Sequence, residues 1–196
     1  MPAWPHKLII LGAPGSGKST VAARLAERVG AAHLNLGSLL RELAAEDSRL
    51  GREIREPIAE GRLIPDHVAE QVVRRWLEAL PPEQGFVMEG YPRSAAQADA
   101  LHRLLAELGG LGRRPVVIRL DVPREELLRR LSRRRDLEGR SDDTDEAIAR
   151  RLEIDDAQAA PLLDALAGWV DVMRVDGARP VDAVTDQIVE ALDRRS

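Results

Sequence analysis

The residues of this chain that could do chemistry begin with a glycine-rich stretch ending in a lysine and a serine. Gly12, Gly17, Lys18 and Ser19 match the spacing G-x-x-x-x-G-K-[ST], between an apolar run and a helix-like segment. Glycines let the backbone curl with its N–H groups facing a phosphate, and the following helix N-terminus adds positive potential. The lysine of such a loop reaches the β- and γ-phosphates, and the hydroxyl binds Mg²⁺. An ordinary glycine-rich turn would not need all four positions, so the stretch predicts a nucleoside triphosphate site.

Arginines form the second group of candidate functional residues. Arg93 follows an acidic residue and a turn, Glu89-Gly-Tyr-Pro, at the carboxyl end of a predicted strand, where open α/β sheets bind ligands. Arg41 lies in the first turns of another helix, and residues 129–140 form an arginine-rich segment. Cations crowded on one helix repel each other, so a polyanionic ligand would explain this segment. A nucleic-acid surface would explain it too, but no aromatic residues interleave there, which favours a phosphate clamp.

The composition limits the class of protein. With 196 residues the chain fits one domain, and its net charge of −4 gives no general attraction to nucleic acid or an anionic membrane. Cysteine is absent, which excludes disulfides, thiolate zinc sites and cysteine nucleophiles. The N-terminal residues do not resemble a signal peptide, and no apolar run approaches the ~18 residues of a membrane span. We therefore expect a cytoplasmic protein, acting as a monomer, without nucleic-acid or membrane partners.

Strands and helices that alternate along the chain must position these residues. We predict strands at residues 8–11, 31–36, 85–89, 115–120 and 170–175. Helices are predicted at 21–29, 39–46 (capped by Gly37-Ser38), 49–60, 67–80, 94–108, from Pro123 onward, 143–166 and 181–192, with a loop at 135–141. This alternation predicts a three-layer α/β fold, with a parallel sheet of about five strands covered by helices on both faces.

Several motifs, in order along nearly the whole chain, resemble those of adenylate kinase and its nucleoside monophosphate kinase relatives. They are Gly-Ala-Pro-Gly-Ser-Gly-Lys in the phosphate loop, Leu-Gly-Ser-Leu-Leu-Arg at 36–41, Gly-Arg-Leu-Ile-Pro-Asp at 61–66, Glu-Gly-Tyr-Pro-Arg at 89–93 with Gln97, Gly-Arg-Ser-Asp-Asp at 139–143, Arg-Leu at 151–152 and Val-Asp-Gly at 175–177. The resemblance implies a single P-loop NTPase kinase domain over residues 1–196. It also implies a monophosphate-binding insertion at about 37–63 and a short lid at about 134–143, both of which would cover the site.

The resemblance also implies roles for individual residues. The ATP-binding residues would be Gly12, Pro14, Gly15, Ser16, Gly17, Lys18, Ser19 and Thr20 of the loop, together with Arg130 against the adenine and Arg134. The AMP-binding residues would be Leu36, Arg41, Gly90, Arg93, Gln97, Arg140 and Arg151, with Gln97 reading the base. Catalysis would depend on Lys18, Arg93, Arg134, Arg140 and Arg151. Mg²⁺ would be held by Ser19 and, through water, by Glu89.

The function implied is phosphoryl transfer from ATP to AMP with Mg²⁺, giving two ADP. Two alternatives stay open: a phosphate-loop kinase for another nucleoside monophosphate or small metabolite, and a nucleotide-sensing protein with reduced turnover. Four positions depart from the family pattern. Ser19 stands where a glycine is usual, Glu89 and Ser38 replace aspartates, and Leu36 replaces a threonine beside the acceptor base. The first of these restores the general phosphate-loop pattern, and the Leu36 change predicts weaker discrimination among acceptor bases.

Overall fold

Five parallel strands form the centre of the protein, for which a computed structural model describes residues 7–81, 84–109, 114–138 and 144–194. The strands are β1 (Lys7–Gly12), β2 (Ala32–Asn35), β3 (Phe86–Glu89), β4 (Val116–Asp121) and β5 (Asp171–Asp176). They lie in the order β2-β3-β1-β4-β5, and every neighbouring pair is parallel. Since β1 is central, the loop that follows it opens at the middle of the sheet's carboxyl edge.

Helices cover both faces of this sheet. They are α1 (Lys18–Val29), α2 (Leu36–Ala45), α3 (Arg49–Ala59), α4 (Asp66–Glu78), α5 (Ala95–Glu107), α6 (Arg124–Glu138), α7 (Asp145–Ala167) and α8 (Val181–Asp193). An apolar core lies on each face of the sheet, because side chains alternate across a strand, and a smaller apolar cluster lies between α6 and α7. Leu8 and Ile10 of β1 pack with α1 and α8, whereas Ile9 and Leu11 pack on the other side with α4, α5 and the end of α7. The predicted three-layer α/β fold is therefore confirmed.

Two local predictions need correction. The side chain that caps α2 belongs to Asn35, whose Oδ1 accepts a hydrogen bond from the Ser38 N–H at 2.9 Å, so the helix begins earlier than the Gly37-Ser38 cap we predicted. Helix α6 continues through Glu138, so residues 135–138 are helical and not part of a loop. The rest of that predicted loop, residues 139–141, lies outside the described residues. Of the helices described, none is long and apolar enough to cross a membrane.

Candidate active site

The loop between β1 and α1 is held against the sheet by its own backbone and by α6. The Ser16 N–H donates to the Ala13 carbonyl at 3.0 Å, and Lys18 Nζ donates to the same carbonyl at 3.2 Å. Gly15 lies so close to α6 that a Cβ there would meet Leu131 Cγ at 2.9 Å. The loop thus places Lys18 at the N-terminus of α1, where a helix favours bound anions.

A single pocket joins this loop to the acceptor-side residues that the sequence predicted. The phosphate loop, the starts of α2 and α5 and the α3–α4 turn contribute to its lining. The end of β3, the last turns of α6 and the first half of α7 complete it. The predicted site residues among the lining are Pro14, Lys18, Ser19, Leu36, Arg41, Glu89, Gly90, Arg93, Gln97, Arg134 and Arg151. Gly12 lines an adjoining cavity that shares Lys18, Arg93 and Arg151 with the pocket. The structure therefore brings together residues from widely separated parts of the chain.

Hydrogen bonds hold in place Arg41, Arg93 and Gln97, the residues that the sequence predicted to bind the acceptor. Arg41 Nη2 donates to Ser38 Oγ at 3.0 Å, and Arg93 Nε donates to the Gly90 carbonyl at 3.0 Å. The buried Gln97 amide accepts from the Arg93 N–H through Oε1 at 2.8 Å. These contacts point two guanidinium groups and one amide into the same pocket, which suits an anionic ligand that carries a hydrogen-bonding base.

Ser19 and Glu89, two of the residues that depart from the family pattern, contact each other. Ser19 Oγ donates to Glu89 Oε2 at 2.8 Å. Glu89 is buried, and its other oxygen, Oε1, has no hydrogen-bond partner, with His33 Nε2 lying 3.5 Å away. A buried carboxylate oxygen without a donor fits a site for a divalent cation or its water shell, since Mg²⁺ keeps several waters and uses one or two carboxylates. The residues present therefore fit a magnesium ion.

The electrostatics of the pocket favour an anion. Burial, and to a lesser extent the neighbouring Arg93, lower the pKa of Lys18 to about 8, against smaller opposing effects of Glu89 and Asp155. Arg93 is open to the pocket, but the protein atoms around it displace water and lower its pKa as well. A guanidinium nonetheless stays protonated. Phosphate oxygens would favour the charged form of Lys18, because a nearby opposite charge stabilises the protonated amine.

The α3–α4 turn packs against the start of α7, so the part of the pocket lining that includes Arg62 contacts the helix that carries Arg151. Arg151 Nη2 donates to the Ile58 carbonyl at 3.2 Å, and Arg150 Nη1 donates to the Glu60 carbonyl at 3.4 Å. Gly61 has a positive φ of 69°, and a Cβ there would lie 2.6 Å from the Ala147 carbonyl oxygen. The close approach of two backbones closes this wall of the pocket.

The remaining predicted residues lie elsewhere. Gly15, Ser16, Gly17 and Thr20 belong to the loop and the first turn of α1, outside the lining of the pocket. Arg130 lies behind the loop, where Nη1 donates to the carbonyls of Ser16 (3.4 Å) and Gly177 (2.9 Å). Arg140 and half of the predicted lid, residues 139–143, lie outside the described residues.

Sequence reasoning missed several residues around the pocket. Asp155 lines the adjoining cavity with Arg119, whose Nη2 lies 3.9 Å from Asp155 Oδ2, and burial raises the pKa of this carboxyl group. A helical spacing of four from Arg151 places Asp155 on the same face of α7, and that spacing was the available signal. Arg62 lines the pocket from a turn whose sequence motif we identified without assigning it a role.

The fold and this pocket define a phosphate-loop kinase with cations at both ends of one ligand site. Comparison with known proteins is more specific. The family model described as adenylate kinase matches residues 10–169. The chain is 39% identical over 188 residues to an adenylate kinase of Kocuria rhizophila (96% of this chain, 99% of the relative) and 40% identical over 187 residues to one of Thermus thermophilus (94% and 96%). It is 37% identical to an adenylate kinase of Stenotrophomonas maltophilia over 95% of this chain and 98% of that protein. The chain belongs to the adenylate kinase family and is a phosphotransferase, as the motifs predicted.

Proposed function

We propose that the protein transfers the γ-phosphoryl group of ATP to AMP with Mg²⁺, producing two ADP. One observation carries this proposal: the phosphate-loop lysine and the acceptor-side arginines line the same pocket. Among the described residues, the lining holds one carboxylate, that of Glu89, and six cationic side chains: Lys18, Arg41, Arg62, Arg93, Arg134 and Arg151. Two nucleotides bound end to end would bring several negative charges into such a pocket.

Each side chain has a role that follows from its place. Lys18 and the loop amides hold the donor phosphates, and Arg41 and Arg93 hold the acceptor phosphate. Arg134 and Arg151 approach from α6 and α7 to neutralise charge on the migrating phosphoryl group. The bond from the γ-phosphorus to the bridging oxygen breaks, and a bond to an oxygen of the acceptor phosphate forms. That oxygen is already ionised, so alignment and charge neutralisation suffice.

Ser19 and Glu89 would hold Mg²⁺, which would supply further positive charge to neutralise the donor phosphates. Water must be kept away from the reacting group, because it competes as an acceptor. The contact between the α3–α4 turn and α7 contributes one wall against solvent. The arrangement of residues 37–63 and 134–143 as closing covers, the role of Arg140, and a cytoplasmic monomer stay predictions.

The direct test is ADP formation from ATP with AMP, GMP, CMP, UMP or dTMP as the acceptor, with and without Mg²⁺. We expect Mg²⁺-dependent turnover that is fastest with AMP and yields two ADP per AMP consumed. ATP hydrolysis that AMP does not stimulate would contradict the proposal and favour another acceptor. Binding of both nucleotides without turnover would favour a sensing protein.

Lys18→Met tests the role of the phosphate-loop lysine, and Lys7→Met is its matched control, because Lys7 is the only other lysine of the chain. Lys18→Met should remove nearly all turnover while leaving the fold intact, since the side chain faces the pocket and not the core. Lys7→Met, at the start of β1, should retain activity. Equal activity of the two folded variants would remove Lys18 from the mechanism.

A further inference from the structure

The side-chain amide of Gln97 has two protein partners that fix which end is oxygen and which is nitrogen. Oε1 accepts from the Arg93 backbone N–H at 2.8 Å, and Nε2 donates to Asp66 Oδ1 at 2.7 Å. A backbone N–H can only donate, and a carboxylate can only accept. Gln97 is only 3% exposed and lines the pocket, so the amide has little freedom other than a flip about its last bond.

The fixed orientation leaves one hydrogen-bonding group of each kind for a ligand. An amide offers two N–H donors and an oxygen with two lone pairs. One donor is used by Asp66 and one lone pair by Arg93, which leaves one donor and one lone pair. Adenine presents a 6-amino donor beside a ring-nitrogen acceptor and matches this pair. Hypoxanthine presents a 6-oxo acceptor beside an N–H donor, and would match only the flipped amide.

A flip is opposed at both ends. It would place the amide N–H groups against the Arg93 N–H and the amide oxygen against the Asp66 carboxylate. The flip would leave the Arg93 N–H without an acceptor and the buried Gln97 amide without its bond to Asp66, and such a loss reduces binding by roughly tenfold or more. The Arg93 contact uses the backbone and cannot be altered by substitution. Asp66 is therefore the side chain that decides the orientation.

We propose that Asp66 is a positioning residue that sets the acceptor base preference by locking the Gln97 amide for a 6-amino purine against a 6-oxo purine. This inference rests on the proposed function, since it concerns the acceptor of the same reaction. Asp66 is the first residue of α4 and is brought to Gln97 by the turn at 61–66, three other residues of which line the pocket. It is exposed, so substituting it should not disturb the core.

The test is Asp66→Asn, whose side chain can either accept from the amide nitrogen or donate to the amide oxygen. We expect the ratio of kcat/KM for AMP to that for IMP to fall about tenfold, mainly through improved use of IMP. Asp66→Ala, which removes the acceptor without offering a donor, should shift the ratio in the same direction. Asp182→Asn removes a first-turn aspartate of α8 and should leave the ratio unchanged.

A double-mutant cycle separates positioning from a structural effect. In a Gln97→Ala background, Asp66→Asn should change the AMP to IMP ratio by less than about twofold, because the amide it acts on is gone. An unchanged ratio in the single variant, or a parallel loss with both acceptors, would overturn the proposal. Calorimetric dissociation constants for AMP and IMP provide the same ratio without turnover. Absence of AMP phosphorylation in the parent protein would refute the proposed function, whereas the binding ratios would still test the lock.

Discussion

Substituting Gly61 by alanine tests whether the contact between the α3–α4 turn and α7 matters for stability and for acceptor binding. Gly61 has a φ of 69°, and a Cβ there would lie 2.6 Å from the Ala147 carbonyl oxygen and 3.0 Å from its Cα. Both atoms belong to a helix backbone, so neither can rotate away. The turn or the helix would have to move.

Gly61→Ala is expected to lower the free energy of unfolding for two reasons. A left-handed conformation costs an alanine ~1 kcal/mol or slightly more relative to glycine. Overpacking against a rigid neighbour typically adds ~1–3 kcal/mol. Gly30 provides the control, since its φ is 64° and a Cβ there would have no atom within 4 Å. Gly30→Ala should therefore lose only the conformational part, and Gly61→Ala should be less stable than Gly30→Ala by ~1–3 kcal/mol.

Urea unfolding of the parent and both variants measures these differences as changes in the free energy of unfolding. The turn also supplies Arg62, Leu63 and Ile64 to the pocket, so Gly61→Ala should raise the KM for AMP more than the KM for ATP. Gly30→Ala should change neither constant. If the two variants were equally stable within ~0.5 kcal/mol, or had the same KM for AMP, the contact would have no energetic role.

Three further predictions concern the metal, the transferred group and the base. Glu89→Gln should weaken Mn²⁺ binding in the presence of an ATP analogue, because a neutral amide replaces a buried carboxylate, and electron paramagnetic resonance measures this binding. Glu53→Gln, at an exposed site, should leave Mn²⁺ binding unchanged. Equal Mn²⁺ binding by the two variants would refute the metal site. Arg134→Ala should lower kcat ~10³-fold with little change in the KM for ATP, because Arg134 neutralises charge on the transferred phosphoryl group. Arg133→Ala, at an exposed position, should leave both constants nearly unchanged. A change in the KM for ATP alone would count against this role of Arg134. Leu36→Thr should increase the preference for AMP over other monophosphates in kcat/KM, since a hydroxyl at this wall of the pocket is left unpaired by the wrong base, and unchanged preferences would contradict it.

Two residues of the site could be predicted because they follow strands, whereas the roles of Gln97, Arg134 and Arg151 came only from the family resemblance. Lys18 follows β1, and Arg93 follows β3, the neighbour of β1 in the sheet. The carboxyl ends of parallel strands meet at one edge, so motifs placed after different strands converge there. The alternating apolar segments predicted the layers for the same reason. Predicting the convergence of these motifs and predicting the layers of the fold required no knowledge of side-chain contacts.

Contacts between distant side chains could not be predicted in this way. Asp66 and Gln97 are 31 positions apart on different helices, and the bond between them depends on how the 61–66 turn packs. Asp155 reaches the neighbourhood of Lys18 because α7 and the phosphate loop line the same cavity. The extension of α6 to Glu138 was missed because its arginine-rich sequence has no apolar periodicity to mark the last turn. Periodicity describes single elements, and these features arise between elements.

The hydrogen bond between Ser19 and Glu89 has a consequence for how the chain can diverge. Substituting Ser19 alone by glycine would leave both carboxylate oxygens of the buried Glu89 without a hydrogen-bond donor. Shortening Glu89 alone to aspartate would withdraw the acceptor from the serine by the length of one methylene group. Either substitution alone removes this hydrogen bond, so the summed cost of the two single substitutions is expected to exceed the cost of the double substitution. The effect of a substitution at either position therefore depends on the residue at the other, and the two positions form an epistatic pair.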